Sequence, residues 1–487
     1  MSLAVLSAEV VRDLLENLTR DEVEVFADTL KQALHQYSTG TQAIDKSVFN
    51  QPARTAVRSE FAGTSTLFTP AISSLGHSIK VITVPSPNRD ESLPPVKPTG
   101  SLTLYSPDGS PVGFLHAQTL TAYRTALASS CLLLKRSTVR TVTVFGAGIQ
   151  AYWHIRLALL LRGDTIRTVN IINREFSDNA KEILRRFYQV PRETKVREGW
   201  EQAEFSMLTP GYGEYSRLQR DHIRDADVIY CCTPSTEELF DPTILTSHEG
   251  RRKGRLIVAV GSYTKDMREL PRDLLLQATK PHKGGRMHYH KHATEGGVIV
   301  VDTLDGALAE SGEIIDAGLE PKQLVELGEL VMINRMVGEE TDSVNSRSST
   351  DVDSVADSAD RQDFSSTSSA MSTLYGSTDS QPDSRRSLSK SPARERRGSG
   401  GHSGNGGLFS SLRVKKHKRA LSHPSPSADK GARDAQKRDD HLSRWLSSGN
   451  VIYKSVGLGL MDLVVGLEVL KLAQAKGKGT IVDNFSA

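Results

Sequence analysis

Three cysteines, Cys131, Cys231 and Cys232, are all that the 487 residues contain. An odd number without metal-ligand spacing argues against a disulfide framework or a metal cluster. It fits a reducing compartment, with the three thiols as small buried hydrophobes. Long apolar runs are missing too. No window reaches the roughly 18 uncharged apolar residues that a membrane span needs. The most apolar late stretch, 456–473, is interrupted by Asp462, Glu468 and Lys471. The opening MSLAVLSAEVVRDLL has no basic stretch ahead of an apolar one, so no secretory leader is expected. An excess of one charge sign is also lacking: 61 Lys and Arg stand against 58 Asp and Glu, a net +3. That balance argues against a dedicated nucleic-acid or membrane-surface binder. Together these absences predict a cytoplasmic protein with no nucleic-acid, membrane or metal partner.

What is present divides by composition. From 338 to 448 serine, glycine and charge dominate and apolar residues are sparse. Such a segment buries too little surface to offset its ordering entropy, so it is expected to be a disordered insert. The shorter stretch PSPNRDESLPPVKPTG, 85–100, is too proline-rich for regular structure. Elsewhere the pattern is globular. Ser7 can cap a first helix, with Val10, Val11, Leu14 and Leu15 at helical spacing, and helices are expected across 7–36. LTLYS leads through Asp108-Gly109 into PVGFLHA, a hairpin pattern. From Thr141 onward apolar strands alternate with helices: TVTVFGAG, TVNIIN, DVIYCC and RLIVAVG. That alternation predicts a parallel sheet covered on both faces. A helix from about 457 to 476 closes the chain.

The sharpest local signal is Gly146-Ala147-Gly148-Ile149-Gln150-Ala151, between a buried strand and a helix. In a G-x-G-x-x-A turn the first glycine permits the tight bend. The second lets the backbone approach a pyrophosphate, and the small third residue allows close helix–strand packing. The helix N-terminus then presents free N–H groups to phosphate. The next strand ends at Asn173-Arg174 rather than at the acidic residue that takes a ribose hydroxyl. Asn does not repel a 2′-phosphate and Arg pairs with one, so NADPH is expected ahead of NADH. Glu175 is the competing candidate for the ribose.

These residues, with His154 on the following helix, resemble the GxGxQAxxH signature of the ornithine cyclodeaminase/mu-crystallin family. LTAYRTA around Arg124, Val260-Gly261-Ser262, Arg268-Glu269-Leu270, and Lys454-Ser455-Val456-Gly457 with Asp462 resemble further segments of that family. The resemblance covers 5–337 and 449–487. It implies an α/β fold: a Rossmann dinucleotide-binding domain plus a discontinuous α+β substrate and dimerisation domain. The expected division is 1–129, first part of the substrate domain; 130–315, Rossmann domain; 316–337, a return helix; 338–448, the insert; and 449–487, completing the first domain. A homodimer is implied, with hydride chemistry on an α-amino or α-imino carboxylate. Besides the glycine turn, Thr233, Val260, Ser455 and Val456 are expected around the cofactor.

The resemblance also assigns Arg54, Lys80 and Arg124 to the substrate carboxylate. Lys80 stands in an apolar, strand-like stretch, an expensive place for an unpaired ammonium. One family residue is missing. Ornithine cyclodeaminases place an aspartate shortly after the VG, and by ungapped spacing that position is Tyr263, with Asp266 three residues on. A phenol with a reference pKa of about 10 is a poor neutral-pH base. True cyclodeamination is thereby disfavoured and reduction of a ketimine favoured, with Tyr263 and Asp266 kept as catalytic candidates. A reductase needs a proton source; His116 is a candidate, against a structural role. His282, His288, His290 and His292 resemble a metal box but lack a completing Cys or carboxylate, so a solvated loop is expected.

Within the insert, Arg385-Arg386-Ser387, Arg396-Arg397-Gly398-Ser399 and Lys418-Arg419-Ala420-Leu421-Ser422 look like basophilic kinase sites. Lys415-Lys416-His417-Lys418-Arg419 is a basic patch open to nuclear import or anion binding. Three functions remain at this point: an NADPH-linked imino-acid reductase, a cyclodeaminase or amino-acid dehydrogenase with another base, and a dinucleotide-binding protein without turnover.

Overall fold

The computed structural model describes residues 2–40, 51–86, 96–280, 296–330 and 445–485. Expectations for the histidine cluster, the kinase-like sites and the basic patch lie outside those residues.

The chain up to Leu133 builds a mixed sheet with helices on one face. Its elements are β1 (Leu3–Leu6), α1 (Ala8–Glu16), α2 (Arg20–Gly40), β2 (Thr55–Ser59), β3 (Thr64–Ser73), β4 (Gly76–Pro85), β5 (Thr99–Tyr105), β6 (Pro111–His116) and α3 (Ala117–Leu133). Ser7 caps α1 as expected, its hydroxyl accepting from the Val10 N–H. The expected hairpin joins β5 to β6, turning at Gly109 with φ +87°.

The parallel domain follows, with β7 (Thr141–Phe145), α4 (Ile149–Arg162), β8 (Thr168–Ile172), α5 (Asp178–Gln189), α6 (Arg192–Arg197) and β9 (Glu204–Leu208). Then come α7 (Tyr215–Asp225), β10 (Val228–Cys231), α8 (Thr243–Thr246), β11 (Leu256–Ala259), α9 (Arg272–Ala278), β12 (Val298–Val301), α10 (Leu304–Glu310), α11 (Gly312–Asp316) and β13 (Leu324–Glu326). The chain ends through β14 (Val451–Lys454), α12 (Gly459–Ala475) and β15 (Thr480–Val482).

Two sheets result. The first runs β15-β1-β6-β5-β4-β3-β2 and the second β13-β12-β14-β11-β10-β7-β8-β9. Every pairing in the second is parallel. Its central strands are buried throughout, which is why they read as short apolar runs without alternation. From β7 the chain winds outward through β8 and β9, then returns to the other side of β7 at β10. Reversals of this kind open the ligand crevice of doubly wound sheets.

The two ends of the expected layout differ from what is observed. Val451–Lys454 is not part of the first domain: it threads between β11 and β12 in the parallel sheet. β13 also joins that sheet, beyond the expected limit at 315 and within the stretch expected to be a return helix. Such short strands are specified by the neighbours they slot between, which sequence spacing does not reveal. The last residues assigned to the insert also differ from expectation. Residues 445–448 are helical and Trp445 is buried. Arg136 holds this return, its guanidinium donating to the carbonyls of Leu446, Gly449 and Gly254.

After β14 the chain crosses back, and α12 packs against α2, α3 and the face of β3–β5. A Cβ on Gly466 would come within 2.8 Å of Leu102, and one on Gly459 within 2.8 Å of the Pro70 carbonyl. Both glycines therefore set how closely the helix approaches the sheet. The layers of the two halves join through α3 and α4, where Tyr123 and Trp153 meet edge-to-face at 5.2 Å, a contact worth roughly 1 kcal/mol beyond its area.

Candidate active site

The glycine turn has the geometry expected of it. Gly146 adopts φ +102°, and a Cβ there would stand 3.0 Å from the Cys232 carbonyl and from the Thr233 methyl. Gly148 is the N-cap of α4, and a Cβ on it would meet nothing within 4 Å. One glycine is required by its neighbours and the other leaves space above the helix N-terminus. Ala147 and Ala151 are buried, while Gln150 has its Oε1 buried without a partner among the described residues. An open turn and a 14-residue helix with its N-terminus facing that space fit a dinucleotide pyrophosphate. At the end of β8 the Asn173 amide donates to the Glu175 carbonyl and leaves Arg174 exposed.

Thr233, Val260 and Ser455 follow β10, β11 and β14, at the C-terminal edge of the parallel sheet. Asp302, at the end of β12, shapes the last of these connections. Its carboxylate accepts from Tyr453, from Ser455 Oγ at 2.7 Å and from the Gly457 N–H at 2.8 Å. The turn so formed carries Val456 and Gly457 across to the first domain.

There the three expected cations converge. Arg54 donates to the Val456 carbonyl at 2.9 Å and lies 3.4 Å from Glu310 on α10. Gly457 leaves room for Arg124: a Cβ on it would stand 2.7 Å from the guanidinium. Lys80, on β4, and Arg124, on α3, share one buried carboxylate. Asp462 Oδ2 accepts from Lys80 Nζ at 2.5 Å and Oδ1 from Arg124 Nε at 3.0 Å. Burial would raise the Asp462 carboxyl, but the two cations outweigh it and hold it below the usual range. Burial lowers the Lys80 ammonium to about 8, Asp462 opposing and Arg124 and Arg54 reinforcing the shift. Two buried cations against one buried anion leave positive charge that a ligand carboxylate can neutralise.

The catalytic candidates are placed unequally. Tyr263, beyond β11, is partly buried; desolvation raises its phenol while the Arg54 charge opposes it. Asp266 is exposed and makes no hydrogen bond to the three cations. His116 ends β6 and precedes α3, opposite Ser101 on the strand that also pairs with Lys80. Its Nδ1 is buried without a partner among the described residues, and partial burial lowers its pKa. His154 is a packing residue. It is buried between α3 and α4, contacts Ser129 Oγ at 3.0 Å and the Gln150 carbonyl at 2.8 Å, and is pushed down to about 4 by burial.

Sequence reasoning assigned no role to Asp302, Glu313, Asp462, Lys454 or Glu269, although the last three stand in segments that carry the resemblance. A charged residue within an apolar run was the available signal, as it was for Lys80.

Residues 9–204 match the model of the ornithine cyclodeaminase/mu-crystallin family. Among sequence relatives, the uncharacterized protein YGL159W of Saccharomyces cerevisiae is 25% identical over 357 residues, covering 69% of this chain and 88% of that protein. The ketimine reductase mu-crystallin of Macropus fuliginosus is 24% identical over 313 residues, 63% of this chain and 81% of the relative. Among solved structures, the Thermococcus litoralis Δ1-pyrroline-2-carboxylate reductase in complex with NADH and L-proline superposes with a TM-score of 0.55. It is 17% identical and covers 98% of this chain and 99% of its own.

Proposed function

From the premise that this chain belongs to the ornithine cyclodeaminase/mu-crystallin family, we propose that it reduces an α-imino carboxylate, using NADPH in preference to NADH. The observation that carries this reading is the excess of positive charge at Arg54, Lys80 and Arg124, joined to the dinucleotide half by the turn at 455–457. A bound reduced nicotinamide supplies the hydride. The protein's own groups fix the substrate. Arg124 and Lys80 take its carboxylate against the Asp462 counter-charge, and Arg54 closes the site from the side of Glu310. Tyr263 stays a neutral phenol, a hydrogen-bond donor rather than a base. His116, whose Nδ1 has no partner among the described residues, is the proton source for the imine nitrogen in this scheme. The exposed Arg174 supports the NADPH preference, since no described residue pairs with its guanidinium at the end of β8. β2 is an edge strand exposed at all five positions. We read that edge as covered by a second copy, in keeping with an expected homodimer.

The test is loss of reduced-nicotinamide absorbance with a panel of cyclic 2-imino carboxylates, run with NADPH and with NADH. Turnover with NADPH that Arg124→Ala abolishes, and that Arg174→Ala shifts toward NADH, supports the proposal. No loss with either cofactor overturns it.

A further inference from the structure

Glu269 lies between β11 and α9, wholly buried, and its two carboxylate oxygens reach two different loops. Oε1 accepts from the Thr233 N–H at 2.7 Å and from Thr233 Oγ1 at 3.2 Å. Oε2 accepts from the N–H groups of Gly261 at 2.8 Å and Ser262 at 3.1 Å. Thr233 follows β10 and Gly261 follows β11, so one side chain ties together the loops that bound the crevice at the sheet's C-terminal edge. Their approach is close: a Cβ on Gly261 would stand 2.2 Å from the Thr233 nitrogen. Three backbone N–H groups, which can only donate, face these oxygens and favour the ionised carboxylate.

A buried anion needs compensation. Lys454, at the end of β14, donates to the Ser262 carbonyl at 2.5 Å and lies 3.3 Å from Glu313. Glu313 accepts from Ser262 Oγ at 2.5 Å and from the Glu269 N–H at 3.0 Å. Burial raises the Glu269 carboxyl, with Lys454 and the N–H donors opposing. Glu313 adds to that rise, and the buried thiols of Cys231 and Cys232 also stand in the field of Glu269.

We propose that Glu269 is a positioning residue for hydride transfer: its carboxylate fixes the loops at Thr233 and Gly261-Ser262 as the wall on which a nicotinamide ring is seated. This rests on the oxidoreductase reading above. Glu269 touches neither substrate nor cofactor in this account; it acts through the main chain of the two loops. Glutamine in its place has the same shape, but its NH2 turns a donor toward either the Thr233 or the Gly261-Ser262 N–H groups. One loop is then released.

The experiment compares the full-length wild type with Glu269→Gln and with Ser262→Ala, which removes one hydroxyl of the network. Three readouts are taken: NADPH affinity by nucleotide fluorescence, kcat with a cyclic 2-imino carboxylate, and amide hydrogen exchange. Phosphate and adenosine contacts lie elsewhere, so NADPH affinity is expected to hold in Glu269→Gln. A misplaced ring is expected to lower kcat by about 100-fold. Exchange is expected to quicken at Thr233, Gly261 and Ser262 ahead of the rest of the sheet, and Ser262→Ala to follow in the same direction by less. Unchanged kcat in a folded Glu269→Gln overturns the proposal. So does a fall in kcat matched by equal losses of NADPH affinity and melting temperature, the mark of a merely structural role. Should Glu269→Gln not fold, an unchanged kcat in Ser262→Ala overturns it instead. Failure of the underlying reading is distinct: it shows as absence of turnover in the wild type and takes this proposal with it.

Discussion

Asp462 bridges Lys80 and Arg124, one carboxylate oxygen to each, inside the first domain. The arrangement ties the proposed substrate-binding cations to α12, a helix far from both in sequence. Asp462→Asn would leave two buried cations uncompensated, a loss expected to cost about 3–5 kcal/mol. Denaturant unfolding measures it. A small cyclic amino carboxylate is expected to raise the melting temperature more in this variant than in wild type, because it supplies the missing anion. Equal shifts in both proteins would refute that account of the site.

If Lys80 holds the substrate carboxylate as proposed, it is expected to set a pH limit on substrate binding. Its folded-state pKa of about 8 lies below the ordinary lysine value of 10.5, so as pH rises through about 8 the folded protein loses a proton that the unfolded chain keeps. Stability should therefore rise with pH between those values. Affinity for an anionic substrate should fall over the same interval, as one of its cations is neutralised. The profile of KM against pH tests this, and Lys80→Arg should move the rising limb to higher pH.

Gly146 and Gly148 make opposite predictions although both belong to one turn. Gly146→Ala puts a side chain at positive φ beside the Cys232 carbonyl, and a loss of stability on the order of 1 kcal/mol or more is expected. Gly148→Val meets no protein atom within 4 Å at its Cβ, so melting should change little while dinucleotide affinity drops. Calorimetry alongside fluorescence titration separates the two. A stable Gly148→Val protein with full affinity would deny the turn its role.

His154 should govern acid sensitivity. Its folded-state pKa of about 4 lies below its ordinary value of 6.5, so the unfolded chain binds the extra proton as pH falls. Stability present above 6.5 is lost toward 4, by on the order of 3 kcal/mol in full. In His154→Gln, melting temperature between pH 7 and pH 4.5 should fall less steeply than in wild type.

Much of this was legible without coordinates because the signals were local. The G-x-G-x-x-A turn is a backbone requirement confined to six residues. The strand–helix alternation from Thr141 follows from burial on both faces of a parallel sheet, and Lys80 stood out because an ammonium interrupts an apolar strand. Each of these is a statement about neighbours in sequence, which composition and spacing record.

The tertiary structure alone decided the rest, through partners far apart in sequence. Lys80 meets Asp462 across 382 residues and Lys454 reaches the Ser262 carbonyl across 192. Nothing near either end marks the other as its counter-charge. Val451–Lys454 is a four-residue strand, too short to declare its own sheet. Its place between β11 and β12 comes from the gap those strands leave and from the hydrogen bonds that only insertion there satisfies. The sequence named Arg54, Lys80 and Arg124, while the counter-charge of Lys80 and Arg124 at Asp462, and the closing of the two loops on Glu269, came from the packing of the whole chain.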